Sequence, residues 1–173
     1  MSKHALLVID VQSGLIRGAY QETEVLAAIN NTCKSVRASG GVIIFIQHCH
    51  TSYEPLMKGH PDWALHESLD VQADDLFIEK QASDSFYGTN LEELLNQLGI
   101  SHVYVTGLQT EYCVDTTCRS AMSKGFEVTL ISDGHTTGDA LLKAPQTIAH
   151  HNAVLENLAH PHRAIQVRAS YEV

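Results

Sequence analysis

The chain has 173 residues and carries 11 Lys+Arg against 20 Asp+Glu, a formal charge of −9. Its length suits one domain spanning residues 1–173, and its 44% hydrophobic and 18% charged shares read as globular rather than disordered. The negative charge argues against nucleic acid or an anionic membrane as partner, and no apolar run approaches the ~20 residues of a membrane span. The opening MSKHALLVIDVQ does not read as a signal peptide, because its apolar run stops at Asp10. A cytoplasmic location is the expectation.

Short β-branched runs alternate with longer helical patterns. Leu6–Ile9 reads as a first strand, followed by a helix striped with Val25, Leu26, Ile29, Cys33 and Val36 that stops at Gly40. Val42–Ile46 and Leu76–Ile78 are the second and third strands. Between them, residues 48–75 hold Pro55, Gly59 and Pro61 without a period, as a functional covering loop would. Leu91, Leu94, Leu95 and Leu98 stripe the next helix, with Thr89 and Glu92 spaced as a capping box and Gly99 at its end. Val103–Val105 precedes a helix from about Glu111 to Lys124. Val128–Ile131 precedes a helix starting near Pro145, and Ala164–Val167 closes the series. Near-continuous apolar strands alternating with helices predict a doubly wound α/β fold with a parallel sheet.

In such sheets ligands bind beyond the carboxyl ends of the strands. Those ends present Asp10, then Gln47 to His50, then Glu79 and Lys80, then Thr106 to Cys113, then Ser132 to His135. Neither a G-x-G-x-x-G nor a G-x-x-x-x-G-K-[ST] pattern is present, so no dinucleotide or P-loop cofactor is implied. The four cysteines, Cys33, Cys49, Cys113 and Cys118, form no C-x-x-C pair, which argues against zinc ribbons and thioredoxin-like chemistry. Cys33 and Cys118 lie on apolar helical stripes and read as core. Cys113 falls in the first turn of a helix, with Thr110 available as N-cap. The helix dipole there would stabilise a thiolate and make Cys113 the first thiol alkylated in mild acid, with Cys49 as its competitor; a small buried residue is the plainer alternative. Asp10 is placed to exchange a proton with that thiol, and Lys80 to orient the carboxylate.

Several segments together resemble the isochorismatase-like cysteine hydrolase superfamily, in its metal-independent, amidase-like branch. They are Leu7-Val8-Ile9-Asp10-Val11-Gln12, Glu79-Lys80 with Asp84-Ser85-Phe86-Tyr87-Gly88-Thr89, Gly107 through Thr117, Ile131 through Thr137, and His150-His151-Asn152. The resemblance implies a catalytic triad of Asp10, Lys80 and Cys113 on a six-stranded parallel sheet of order 3-2-1-4-5-6. It also implies a cis peptide between Leu108 and Gln109, which would aim the backbone N–H groups of Gln109 and Cys113 at an oxyanion. Strand three then lies two places from strand one, so Lys80 meets Asp10 only if the turn after strand three folds back over the sheet.

Leu15, His48, Tyr53, Trp63, Phe86 and Tyr112 are the expected substrate pocket, although Tyr53 and Trp63 serve equally well as packing for the covering loop. Nicotinamidases of the superfamily bind a metal through an Asp-x-His segment and a later His. Here the segment reads His48-Cys49-His50, with His60 and His66 following, and Gly59-His60-Pro61-Asp62-Trp63 looks more like the metal-free branch. The expectation is therefore no metal, with these histidines serving as hydrogen-bonding groups. The implied activity is hydrolysis of a small-molecule amide through a thioester. Vinyl-ether hydrolysis of isochorismate, nicotinamide hydrolysis and a non-catalytic binding module are the alternatives. The resemblance also allows a homo-oligomer, of which the residues themselves give no sign.

Overall fold

In the computed structural model, which describes residues 3–173, six parallel strands form one sheet in the order β3-β2-β1-β4-β5-β6. The strands are β1 (Lys3–Ile9), β2 (Val42–His48), β3 (Leu76–Lys80), β4 (Ile100–Leu108), β5 (Glu127–Thr136) and β6 (Ile165–Arg168). The helices are α1 (Ser13–Ile16), α2 (Glu22–Ala38), α3 (Leu91–Leu98), α4 (Asp115–Ser123) and α5 (Ala144–Glu156). Among the described residues no helix is long and apolar enough to cross a membrane.

Alternation along β1 divides the core into two layers. Ala5, Leu7 and Ile9 pack with Leu91 and Leu95 of α3, Cys118 and Met122 of α4, and Leu155 of α5. Leu6 and Val8 pack with Ile29, Cys33 and Val36 of α2. Both faces of β1 are thus covered, which is why its sequence is continuously apolar rather than alternating.

Three local expectations are corrected. The capping box before α3 does not form: Thr89 Oγ1 instead donates to the Ser85 carbonyl and accepts the Leu91 N–H, while Asn90 stands at the N-cap. Strand β5 does not stop at Ile131 but runs to Thr136. Its register against β4 jumps from Val105 opposite Leu130 to Gly107 opposite His135, so residues 131–134 bulge out between the paired stretches. The segment after β2 is more ordered than its lack of period suggests. It holds single 3-10 turns at Glu54–Leu56 and Pro61–Trp63, and Leu65 bridges back to Gln12.

The end of β4 comes unusually close to β1. Gly107 pairs with Ile9 and has φ +116°, and a Cβ there would run into the Ile9 carbonyl. This contact sets the turn that follows β4 beside the end of β1. Gly107→Ala is expected to cost more than about 4 kcal/mol, through the steric clash and the left-handed backbone together. Chemical denaturation checks it, and a midpoint close to the wild-type value would contradict it.

Candidate active site

Asp10 ends β1 by entering the left-handed region at φ +54°, a conformation Asp tolerates better than most residues. This breaks the alternation that would otherwise place Asp10 with Leu6 and Val8. Lys80 is the last residue of β3, two positions after Ile78 and on its face, and its register partner on β2 is His48. From there the lysine side chain crosses the end of β2. Its Nζ lies 2.8 Å from Asp10 Oδ2, 3.1 Å from Cys113 Sγ, 3.2 Å from His48 Nδ1 and 3.0 Å from the Ala82 carbonyl. The chain after β3 does not need to fold back over the sheet: the four-carbon side chain spans the distance itself. Asp84 fastens that following turn, accepting from the Phe86 N–H and from Ser120 Oγ of α4.

The site is dry. Asp10 and Lys80 are each 1% exposed and Cys113 is 8% exposed. Burial raises the Asp10 carboxyl above its ordinary value despite the neighbouring Lys80. Burial, reinforced by the Asp10 charge, pushes the Cys113 thiol up to about 11, with Lys80 only partly opposing. This reverses the lowered thiol pKa expected from the helix start: the sulfur is buried, and the nearest carboxylate repels a thiolate. His48 is shifted down by burial and by Lys80, as suits a neutral imidazole accepting from an ammonium. Asp10 Oδ1, the oxygen not paired with Lys80, is buried with no hydrogen-bond partner.

Cys113 sits in a π-helical turn, Thr110–Val114, that leads into α4. Gln109, not Thr110, occupies the N-cap position, and the Leu108–Gln109 peptide is cis. Thr110 has another partner: its Oγ1 lies 2.9 Å from Nδ1 of His135, whose Nε2 lies 2.9 Å from Asn152 Oδ1 on α5. Because Asn152 Oδ1 only accepts, Nε2 carries the proton and Nδ1 accepts from Thr110. His135 thus ties the cysteine turn to β5 and α5. Sequence reading passed over this link, and over Gln12, whose amide accepts the His48 N–H at 2.7 Å and donates to the His48 carbonyl at 3.1 Å and to the Trp63 carbonyl at 2.8 Å. The signal for Gln12 was available in a polar residue two places beyond Asp10 in an otherwise apolar segment.

Of the expected pocket residues, only His48 touches the Asp10–Lys80–Cys113 cluster through a polar contact. Phe86 is buried and stacked on Phe126 in the core, with ring centroids 6.0 Å apart, so it backs the site rather than lining an open wall. Leu15 packs against the α2-side core. Tyr53 and Tyr112 are largely exposed. Trp63 donates from Nε1 to Cys49 Sγ at 3.2 Å, fastening the covering segment. A cavity of about 560 Å³ lies beside the site, lined by Cys49, Glu79, Lys80, Ala82 and Tyr87; it reaches Lys80 but neither Asp10 nor Cys113.

Asp10, His48 and Cys113 offer ligand atoms within 4.8 Å of one another, the one such cluster among the described residues. A metal does not fit there, because the Lys80 ammonium already stands within 3.2 Å of all three and would face the ion as a like charge. The other histidines of the covering segment are occupied locally. His50, His60 and His66 each use Nδ1 to accept the backbone N–H two residues on.

Residues 4–167 match the isochorismatase domain family model. Over 137 residues the chain is 37% identical to YrdC, an uncharacterised isochorismatase family protein of Bacillus subtilis (strain 168), covering 76% of this chain and 72% of that one. Over 169 residues it is 29% identical to Nicotinamidase 3 of Arabidopsis thaliana, covering 90% and 80% of the two chains. The crystal structure of an isochorismatase family protein matches with a TM-score of 0.83 at 35% identity, covering 94% of this chain and 96% of that one.

The His135 link makes acid stability testable. Burial lowers its pKa from 6.5 to about 4, so between these values the unfolded chain binds a proton that the folded chain refuses. The stabilisation is complete above pH 6.5 and is lost as pH falls toward 4, amounting to about 3 kcal/mol. Unfolding midpoints measured across this range should fall steeply for the wild type and more gently for His135→Leu. Parallel curves would remove His135 from the acid limb.

Proposed function

The chain belongs to the isochorismatase family of hydrolases, and we propose that it cleaves the C–N bond of a small-molecule amide through a thioester on Cys113. The observation that carries this reading is the convergence of Asp10 and Cys113 on the buried ammonium of Lys80, with a second Asp10 oxygen left unpartnered.

In the proposed reaction Asp10 takes the thiol proton as sulfur attacks the substrate carbonyl. The thiol is too weak an acid to rest as thiolate, so deprotonation and attack proceed together. The negative charge moves to the carbonyl oxygen, toward the backbone N–H groups of Gln109 and Cys113. Asp10, now protonated, returns the proton to the departing nitrogen, and the C–N bond breaks to leave a thioester and a free amine. Water then attacks the thioester while Asp10 accepts its proton. The carboxylic acid departs, and the proton returns to sulfur. Lys80 keeps Asp10 in place and balances the charge that passes between carboxylate and sulfur.

The metal-dependent nicotinamidase reading loses support because an ammonium stands within 3.2 Å of every member of the one ligand cluster among the described residues. The vinyl-ether reading makes no use of a thiol held 3.1 Å from a lysine.

Turnover against a panel of small amides, with isochorismate and nicotinamide included, tests the proposal. Ether cleavage without amide cleavage would overturn it. Prolonged dialysis against a chelator should leave activity unchanged; loss restored by zinc, manganese or iron would return support to the metal-dependent reading. Asp10→Asn should lower turnover by on the order of 10²–10⁴-fold. The same substitution removes a charge that holds the thiol pKa up. Cys113 should therefore be alkylated faster in this variant near neutral pH, by about threefold after the loss of intrinsic nucleophilicity. Turnover and thiol reactivity moving in opposite directions would separate the role of the base from that of the nucleophile. A parallel fall would mean that Asp10 also takes the proton as sulfur attacks the alkylating agent, and near-normal turnover would count against Asp10 as the proton acceptor.

A further inference from the structure

A lysine ammonium has three N–H groups, and Lys80 Nζ has four acceptors within reach. They are Asp10 Oδ2 at 2.8 Å, the Ala82 carbonyl at 3.0 Å, Cys113 Sγ at 3.1 Å and His48 Nδ1 at 3.2 Å. One acceptor is always left without a proton. Which one it is depends on the state of the sulfur, since a neutral thiol accepts weakly and a thiolate strongly.

We propose that His48 is a positioning residue for Lys80, holding the third N–H away from Cys113 while the thiol is neutral and yielding it to sulfur as the thiolate forms. This deepens the reading of Cys113 as nucleophile and rests on it. Among the competitors, the carboxylate of Asp10 is charged and forms the shortest contact, and the Ala82 carbonyl lies two residues along the lysine's own chain. The neutral imidazole, at the longest distance, is the acceptor that gives way. No proton leaves the ammonium in this exchange: one hydrogen bond moves from nitrogen to sulfur while the thiol proton passes to Asp10.

The fold fixes His48 for this task. Its backbone is paired in register with Lys80, and Gln12 accepts its N–H and donates to its carbonyl, so the ring has little freedom to drift. Acceptance at Nδ1 requires the ring proton on Nε2. A doubly protonated ring would aim an N–H at the ammonium. The charged and titratable groups around the ring are Lys80 from β3, Asp10 just beyond β1, Cys113 from the π-turn and His50, whose ring centroid is 6.3 Å away.

The test reads the thiol without any substrate. The pH dependence of Cys113 alkylation by iodoacetamide is followed by peptide-resolved mass spectrometry in the wild type, His48→Leu and His48→Gln. With leucine, three acceptors remain for three N–H groups and one N–H settles on sulfur. The thiolate fraction at a given pH should rise on the order of tenfold, and alkylation about threefold. Glutamine restores an acceptor and should return the profile toward that of the wild type. An unchanged profile with leucine would overturn the proposal, as would an equal rise in both variants, which would indicate a loosened pocket. Nitrogen NMR of the wild-type imidazole tests it without any variant: near pH 7, Nδ1 of His48 should be unprotonated and hydrogen-bonded, and a protonated Nδ1 would overturn the proposal. None of these readouts involves turnover, so their failure would leave amide hydrolysis standing, and an absence of amidase activity would not explain their failure.

Discussion

Lys80 brings a positive charge into a place that water scarcely reaches, and the need to surround that charge with acceptors shapes everything nearby. An unpaired buried ammonium would be strongly destabilising, whereas one with a carboxylate and several further acceptors is tolerated. Meeting that need takes residues from four parts of the chain: Asp10 beyond β1, His48 at the end of β2, Ala82 beyond β3 and Cys113 beyond β4. The sheet order explains why lysine is suited to the position. β3 lies two strands from β1, and only a long, unbranched cation crosses the intervening strand end. A shorter residue at position 80 would leave Asp10 buried without a cation.

The same burial that raises both the Asp10 carboxyl and the Cys113 thiol suits the proposed chemistry. A thiol pKa describes loss of the proton to bulk water, which leaves an additional negative charge in a dry site. Transfer from Cys113 to Asp10 creates no additional charge. Before transfer the site holds a carboxylate, an ammonium and a neutral thiol; afterwards it holds a carboxylic acid, an ammonium and a thiolate. The net charge is zero in both cases, so exclusion of water penalises the internal transfer far less than the external one. A resting thiol that resists alkylation is therefore compatible with a thiol that reacts once a carbonyl is seated against it. Helix-start arguments for reactive cysteines omit this distinction, because they consider the sulfur alone.

The architecture was legible because burial leaves a direct mark on sequence. Strands covered on both faces read as unbroken apolar runs, and α2 and α3 show their buried stripes at helical spacing. Asp10, Lys80 and Cys113 lie at the ends of such runs, where a parallel sheet binds its ligands, and the family resemblance singled them out from the other polar residues there. What was not legible depends on side-chain reach and on competition between partners. Nothing in the sequence shows that Lys80 spans β2 unaided. Thr89 and Glu92 have the spacing of a capping box, but Thr89 spends its hydroxyl on Ser85 instead. Thr110 looks like an N-cap, but His135 claims it from twenty-five residues away in sequence. The β5 bulge is invisible to pattern reading because Ile131 is followed by residues typical of a turn.

The histidines between positions 48 and 66 show the same limit most plainly. Spacing alone makes His48 and His50 a reasonable ligand pair, since residues two apart on an extended segment share a face. Their backbones separate them. His48 is still in β2, held extended by its pairing with Lys80 and clamped by Gln12, so its ring projects over the end of the sheet toward the ammonium. His50 lies past the strand, where the chain turns, and its Nδ1 closes that turn by accepting from Ser52 and Tyr53. His60 and His66 do the same for Asp62 and Ser68. With Nδ1 accepting a backbone N–H, the proton of the neutral ring sits on Nε2, so neither nitrogen binds an ion without breaking the turn. The abundance of histidine in this segment therefore reflects turn closure at three positions and a contact with Lys80 at the fourth.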